Sequence, residues 1–202
     1  MSSSSKGCHG SSNKSNGRSS GGSKSGSRTA QTTASITMAS ICVQPPNQTS
    51  IQTQMYPPVV ARARVNGINQ SYTYVFAMAV LLNGSGNVLG GELGGNTVTT
   101  GMSLPDDGGS SSDGSSRSGS NQLYFAFTDL FTTYVGTYSI RVDIYLVDYG
   151  DTEGARMLSQ AETRSFDVYD NACALERCAL HEKRLLQRLR DQGMTIPATP
   201  AT

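Results

Sequence analysis

Residues 124–148 read YFAFTDLFTTYVGTYSIRVDIYLVD. From Tyr138 onward, Ile140, Val142, Ile144 and Leu146 alternate with Ser139, Arg141 and Asp143. A period of two marks a strand with one face in a core and the other toward solvent. The stretch follows DDGGSSSDGSSRSGSN (106–121), which has no apolar residue, so a strongly patterned strand is entered from a tract of low complexity.

Working outward, VVARARV (59–65) places Val59, Ala61, Ala63 and Val65 on one face and Arg62 and Arg64 on the other, toward solvent or a partner. ITMASICV (36–43) reads as a first strand, and LYFAFTDL (123–130) and TRSFDVYD (163–170) as later ones. YTYVFAMAVLL (72–82) is apolar almost throughout, which predicts a strand buried on both faces at the centre of a sheet. QPPNQTSIQTQMYPP is a proline-punctuated connection with weak strand character, and a short strand is expected around Thr97 to Leu104. DYGDTEGARM reads as the hairpin-like connection between the last two strands.

About seven short strands with turn signals between them predict an all-β, antiparallel sandwich. Gly136-Thr137-Tyr138 entering the alternating strand matches the tyrosine corner of immunoglobulin-like domains. Ile140 stands where an antibody domain has its second cysteine, and the chain has no tryptophan, so the sandwich is of the kind without a disulfide. In ALERCALHEKRLLQRLRD (174–191) the period changes: Leu175, Cys178, Ala179, Leu185, Leu186 and Leu189 recur at helical spacing, and Gly193 ends the helix. Its other face carries Arg177, Lys183, Arg184, Arg188 and Arg190, expected to be solvated and bridged to Glu176, Glu182 and Asp191.

Composition bounds what this fold can do. Residues 1–34 are Ser/Gly-rich and are expected to be a disordered basic tail, since almost nothing in them can offset the entropy of ordering. Lys6, Lys14, Arg18, Lys24 and Arg28 give its first 28 residues a charge of +5, leaving 11 basic and 15 acidic residues elsewhere against a net +1 for the chain. A flexible insertion is expected at 105–121 and a disordered end at 198–202, with the sandwich domain at 35–197. No stretch reaches the ~18 apolar residues of a membrane span, and no secretory signal is evident. The four cysteines lack paired metal-ligand spacing, and the two histidines, His9 and His181, sit in the tail and on a charged helix. Neither metal, cofactor nor small-molecule substrate is expected. Asp129, Asp143 and Asp148 are scattered over strand ends and turns, so the chain reads as a non-enzyme, with Asp129 expected to fix the turn into the next strand by a hydrogen bond.

Several pieces occur in a telling order: Gln44-Pro45; Pro57-Pro58-Val59-Val60 with Arg64-Val65; Ser71-Tyr72-Thr73-Tyr74-Val75-Phe76-Ala77-Met78-Ala79; and Leu89-Gly90-Gly91. Phe125-Ala126-Phe127-Thr128-Asp129-Leu130 then leads to Gly136-Thr137-Tyr138, followed by Phe166-Asp167-Val168-Tyr169 and Arg190-Asp191-Gln192-Gly193. Over about residues 35–196 this series resembles the velvet-domain family of fungal regulatory proteins, as a short and divergent member. The resemblance implies a fold similar to the DNA-binding domain of Rel and NF-kappa-B factors, with structural roles for Phe125, Phe127, Asp129, Leu130, Gly136, Tyr138, Phe166 and Tyr169. It implies a nuclear regulator, shuttling from the cytoplasm, of development, sporulation and secondary metabolism, paired with itself or with another velvet protein and contacting double-stranded DNA.

One departure bears on that last point. The family's segment before the proline run is rich in arginine and lysine; here it is PPNQTSIQTQMY, with no basic residue. Phosphate neutralisation dominates DNA affinity, so a neutral segment predicts contact that is weak or supplied by the partner. Arg62 and Arg64 are the remaining candidates in the folded part, followed by Lys14, Arg18, Lys24 and Arg28 in the tail. The competing expectation is an interaction or adaptor module that has lost direct DNA binding.

Overall fold

A computed structural model describes residues 35–66, 73–104, 121–150 and 154–198. The tail, residues 105–120 of the insertion and residues 199–202 lie outside the described residues. In chain order the strands are β1 Ser35–Val43, β2 Gln48–Ser50, β3 Val59–Asn66, β4 Thr73–Asn83, β5 Val88–Leu89, β6 Leu93–Gly94 and β7 Val98–Thr100. Then come β8 Met102–Ser103, β9 Asn121–Phe127, β10 Phe131–Thr132, β11 Gly136–Asp148, β12 Ala155–Glu162, β13 Phe166–Tyr169 and helix α1 Leu180–Asp191. The chain is an all-β sandwich with one C-terminal helix.

Alternation builds the two layers. The front sheet runs β1-β3-β9-β8, and its inward residues Val59, Ala61, Ala63, Val65, Phe125 and Phe127 are buried. The back sheet runs β2-β13-β11-β4-β5, with β12 beside β11 and β7 beside β4. Its inward residues Ile140, Val142, Ile144, Val75, Ala77 and Phe166 meet the front sheet in one core. Removing such side chains from water stabilises the fold by roughly 1.5–3 kcal/mol each for the larger ones.

The strands depart from expectation at several points. β4 is not buried on both faces: Val75, Ala77, Ala79 and Leu81 enter the core, whereas Tyr74 is 41% exposed and Phe76, Met78 and Val80 are half-buried. Phe76 instead stacks on Tyr145 of β11, with ring centroids 5.2 Å apart. The strand expected at 97–104 is two strands, because the chain crosses between sheets at Gly101: β7 pairs with β4, and β8 with β9. Residues 155–162, of which the hairpin reading took the first three as connection and left the rest unassigned, form β12, antiparallel to β11. The sandwich is also not wholly antiparallel, since β2 in the proline-rich connection runs parallel to β13.

The helix begins later than its periodicity suggests, at Leu180 rather than 174. Glu182 sets the boundary: its Oε2 accepts from the Ala179 backbone N–H at 2.9 Å, the return arm of a capping box. Upstream, Glu176 is drawn into a hydrogen-bonded clasp with Arg164 and Asn47, which the extended segment before the helix allows.

Candidate nucleic-acid interface

β3 is the element that positions the arginines. Its inward alanines and valines seat it in the core, so Val60, Arg62 and Arg64 face outward from the front sheet. Half of this outer face is covered: Leu186 and Leu189 of α1, with Cys178 and Ile196, bury Val43, Val60, Tyr124 and Ala126 in a second apolar cluster. Beyond the helix the face turns polar. Arg62 is half-buried between Ser40 of β1 and Tyr124 of β9, its register partners, and its Nη2 lies 3.5 Å from the Ser40 hydroxyl. Arg64, opposite Gln122, is exposed and takes part in a polar interaction of its own.

The electrostatics around Arg62 involve a thiol. Burial pushes the Cys42 thiol above its ordinary value, and the nearby Arg62 guanidinium opposes that shift without overcoming it. A thiol shifted in that direction holds its proton more tightly, which disfavours nucleophilic chemistry at Cys42. Cys178, beneath the helix, is raised in the same way by burial.

The connection from β1 to β3 supplies no cation. Pro45, Pro46, Met55, Tyr56, Pro57 and Pro58 are buried in it, and its exposed side chains are Asn47, Gln48, Gln52, Thr53 and Gln54, all neutral. It is also tied down. The Arg164 guanidinium donates to the Pro45 carbonyl at 2.8 Å, the Gln44 side chain accepts from the Arg164 N–H, and the Gln44 N–H donates to Glu182.

The family-pattern residues divide into two groups. Phe125, Phe127, Leu130, Tyr138 and Phe166 share the main core with Val59, Val75 and Val168. The Tyr138 ring lies over Gly136, where a Cβ would come within 2.8 Å of the tyrosine hydroxyl. Asp129 is exposed and accepts from the Asn96 N–H at 2.9 Å, so the turn it fixes is the one before β7 rather than the entry to the next strand. Tyr169 departs from its core assignment: alternation turns Phe166 and Val168 inward and leaves Tyr169 41% exposed. Lys14, Arg18, Lys24 and Arg28 lie outside the described residues.

What sequence reasoning missed is the fate of the helix carboxylates. Glu176 binds Arg164 and Asn47, Glu182 holds the Ala179 and Gln44 N–H groups, and Asp191 accepts from Gln187 at 2.7 Å. Among the described residues Arg177, Lys183 and Arg184 enter no salt bridge. Neither role was legible: alanine at position 179 lacks the hydroxyl half of the capping-box signature, and Glu176 is taken by Arg164 and by Asn47, the latter across 129 positions.

No family model matches the chain, and no curated protein matches it. Among solved structures it is similar to a ceramidase complexed with C2, at 12% identity and a TM-score of 0.31, covering 64% of this chain and 18% of that one. It is also similar to AggA, the major subunit of aggregative adherence fimbriae type I from Escherichia coli, at 12% identity and a TM-score of 0.28, covering 68% and 95%. The chain thus spans less than a fifth of the ceramidase's length.

Proposed function

We propose that this protein is a velvet-type transcriptional regulator of fungal development, sporulation and secondary metabolism, acting in the nucleus as a homo- or heterodimer and performing no catalysis. The observation that carries this reading is the convergence of the motif residues: Val59, Val75, Ala77, Phe125, Phe127, Leu130, Tyr138 and Phe166, drawn from separate motifs, pack into one core. Motifs that co-determine one core are harder to match by accident than motifs scattered over a surface. The test is capture of the tagged full-length chain from fungal cells. Another velvet protein, or a second copy of this chain, is expected at about equal amounts; a monomer that ignores every velvet protein present sinks the reading.

A second reading is favoured by one observation, the neutral exposed surface of the connection from β1 to β3. It makes the chain an adaptor module of the same fold without DNA contact. Nuclease footprinting separates the two, because sequence-selective protection by the chain or its dimer is incompatible with an adaptor.

A further inference from the structure

The outer side of the back sheet is largely open, and its centre is apolar. Residues directly opposite each other in an antiparallel ladder share a face, and the register sets Met157, Tyr145 and Phe76 in one row and Val98 beside Met78 in the next. Tyr74 stands on the same face of β4. Tyr74, Val98 and Met157 are exposed, the other three are half-buried, and none belongs to either apolar cluster inside the molecule. The rings of Tyr74, Phe76 and Tyr145 stack in series, with centroids 6.1 and 5.2 Å apart. Stacked rings are already ordered, so covering them costs little further side-chain entropy.

This face is suited to being covered by protein. Its central charge is settled within one chain: Arg141 donates to both Asp143 oxygens at 2.8 and 3.0 Å, Gln160 donates to Asp143 as well, and the Asp143 side chain is 4% exposed. Covering the sheet therefore strands no unpaired ion there, the usual penalty for burying charge. Glu162 keeps its charge beside Ser139, opposite Arg141 and away from the stacked rings. An apolar centre with a polar margin is the anatomy of a protein interface. The two long stretches outside the described residues offer nothing apolar to lay on it. Residues 1–34 hold no aromatic and, after Met1, no aliphatic side chain larger than alanine, and 105–120 hold neither kind apart from Pro105.

We propose that a second copy of this chain covers this face, the two back sheets packing against each other about a two-fold axis. The proposal deepens the paired-regulator reading, rests on it for the expectation of a partner, and names the face that does the pairing. Two-fold pairing needs a surface complementary to itself. Here the centre is apolar on both copies and the ion pair cancels, so like charges do not meet there. β12, β11, β4 and β7 lie side by side, and at ~4.8 Å per strand and ~3.3 Å per residue they span roughly 400–500 Å² in projection. With the standing side chains added, that is of the order of the ~800 Å² each partner gives to a stable interface.

The experiment is sedimentation equilibrium of the full-length chain as the parent, as Tyr74→Lys/Met157→Lys, and as Leu175→Lys/Leu180→Lys, which charges exposed apolar residues near the helix instead. The parent is expected to be a dimer. The Tyr74/Met157 variant should associate about a hundredfold more weakly or worse, because two-fold symmetry doubles each new charge; the helix-side variant should pair like the parent. Methionine oxidation reads the same face without any variant. Dimer formation should slow oxidation of Met157, 50% exposed in the single chain, and leave that of Met38 in the front sheet, 54% exposed, unchanged. A dimer whose Met157 stays as reactive as Met38, or that survives both lysines on the sheet, overturns the proposal, and so does loss of pairing in the helix-side variant alone. A parent monomer overturns it too, and capture from fungal cells then decides the regulator reading separately: a velvet partner keeps that reading, and none sinks it.

Discussion

The Tyr138 hydroxyl donates to the carbonyl oxygen of Val135 at 3.1 Å, reaching back over Gly136 to lock the entry of β11. Tyr138 also faces Phe166, with ring centroids 6.3 Å apart, so one side chain fixes the turn and joins β11 to β13. Tyr138→Phe keeps the ring and removes the bond, and it should lower stability by about 1 kcal/mol. Gly136→Ala should lower it by more, since the added Cβ meets the ring at backbone φ 153°. Urea titration of both variants measures the two values; a Tyr138→Phe variant as stable as the parent removes the corner from the list of stabilising features.

At Gly101 the chain passes from the back sheet to the front sheet, and a Cβ there would sit 2.9 Å from the Phe125 ring. Gly101→Val overpacks the core against that ring and should cost about 1–3 kcal/mol. Pairing Gly101→Val with Phe125→Leu should recover part of that loss, whereas strict additivity of the two would place the strain elsewhere.

The Thr132 hydroxyl is buried, at 1% exposure for the residue, and has no hydrogen-bond partner among the described residues. Thr132→Val removes that desolvated group at nearly constant shape and should raise stability by about 1 kcal/mol. Thermal unfolding monitored by circular dichroism gives the sign directly.

Leu189 is fully buried against the front sheet. Leu189→Ala should lower stability by about 2–5 kcal/mol and loosen α1 before the sandwich itself opens. Hydrogen exchange should then report faster exchange in residues 180–191 than in β11; uniform acceleration across both would mean that helix and sandwich unfold as one unit.

The Cys178 thiol has a folded pKa raised by burial. A raised thiol pKa means that the folded state holds its proton more tightly than the unfolded state. Its contribution is fully present below the unfolded thiol value and declines as pH rises from about 8.5 through the folded value. The parent should therefore lose stability over that alkaline window more steeply than Cys178→Ala does. Parallel curves for the two proteins would assign the alkaline loss to other groups.

Legibility followed the physics of each element. β3 and β11 were readable because each has one buried and one open face, so their residues alternate. β12 was not, because both of its faces are largely open and its sequence ARMLSQAE has no period to detect. The helix starts later than its periodicity suggests because Leu175 and Cys178 keep helical spacing while Glu176 is taken by Arg164 of the preceding β12–β13 turn. Arg62 and Arg64 could be placed on an outer face from alternation alone, whereas the partners of Glu176 and Glu182 depend on how the chain folds back on itself.

The covering of the front sheet by α1 also constrains how the protein is made. Val43 and Val60 wait for Leu186 and Leu189, residues more than a hundred positions later, and the Gln44 N–H waits for Glu182 across 138 positions. During synthesis the outer face of that sheet emerges long before its cover exists. A nascent chain paused between β9 and α1 would present a bare apolar strip, the kind of surface that chaperones hold. Ribosome pausing in that interval should therefore lower yield more than pausing after Leu189 has been added.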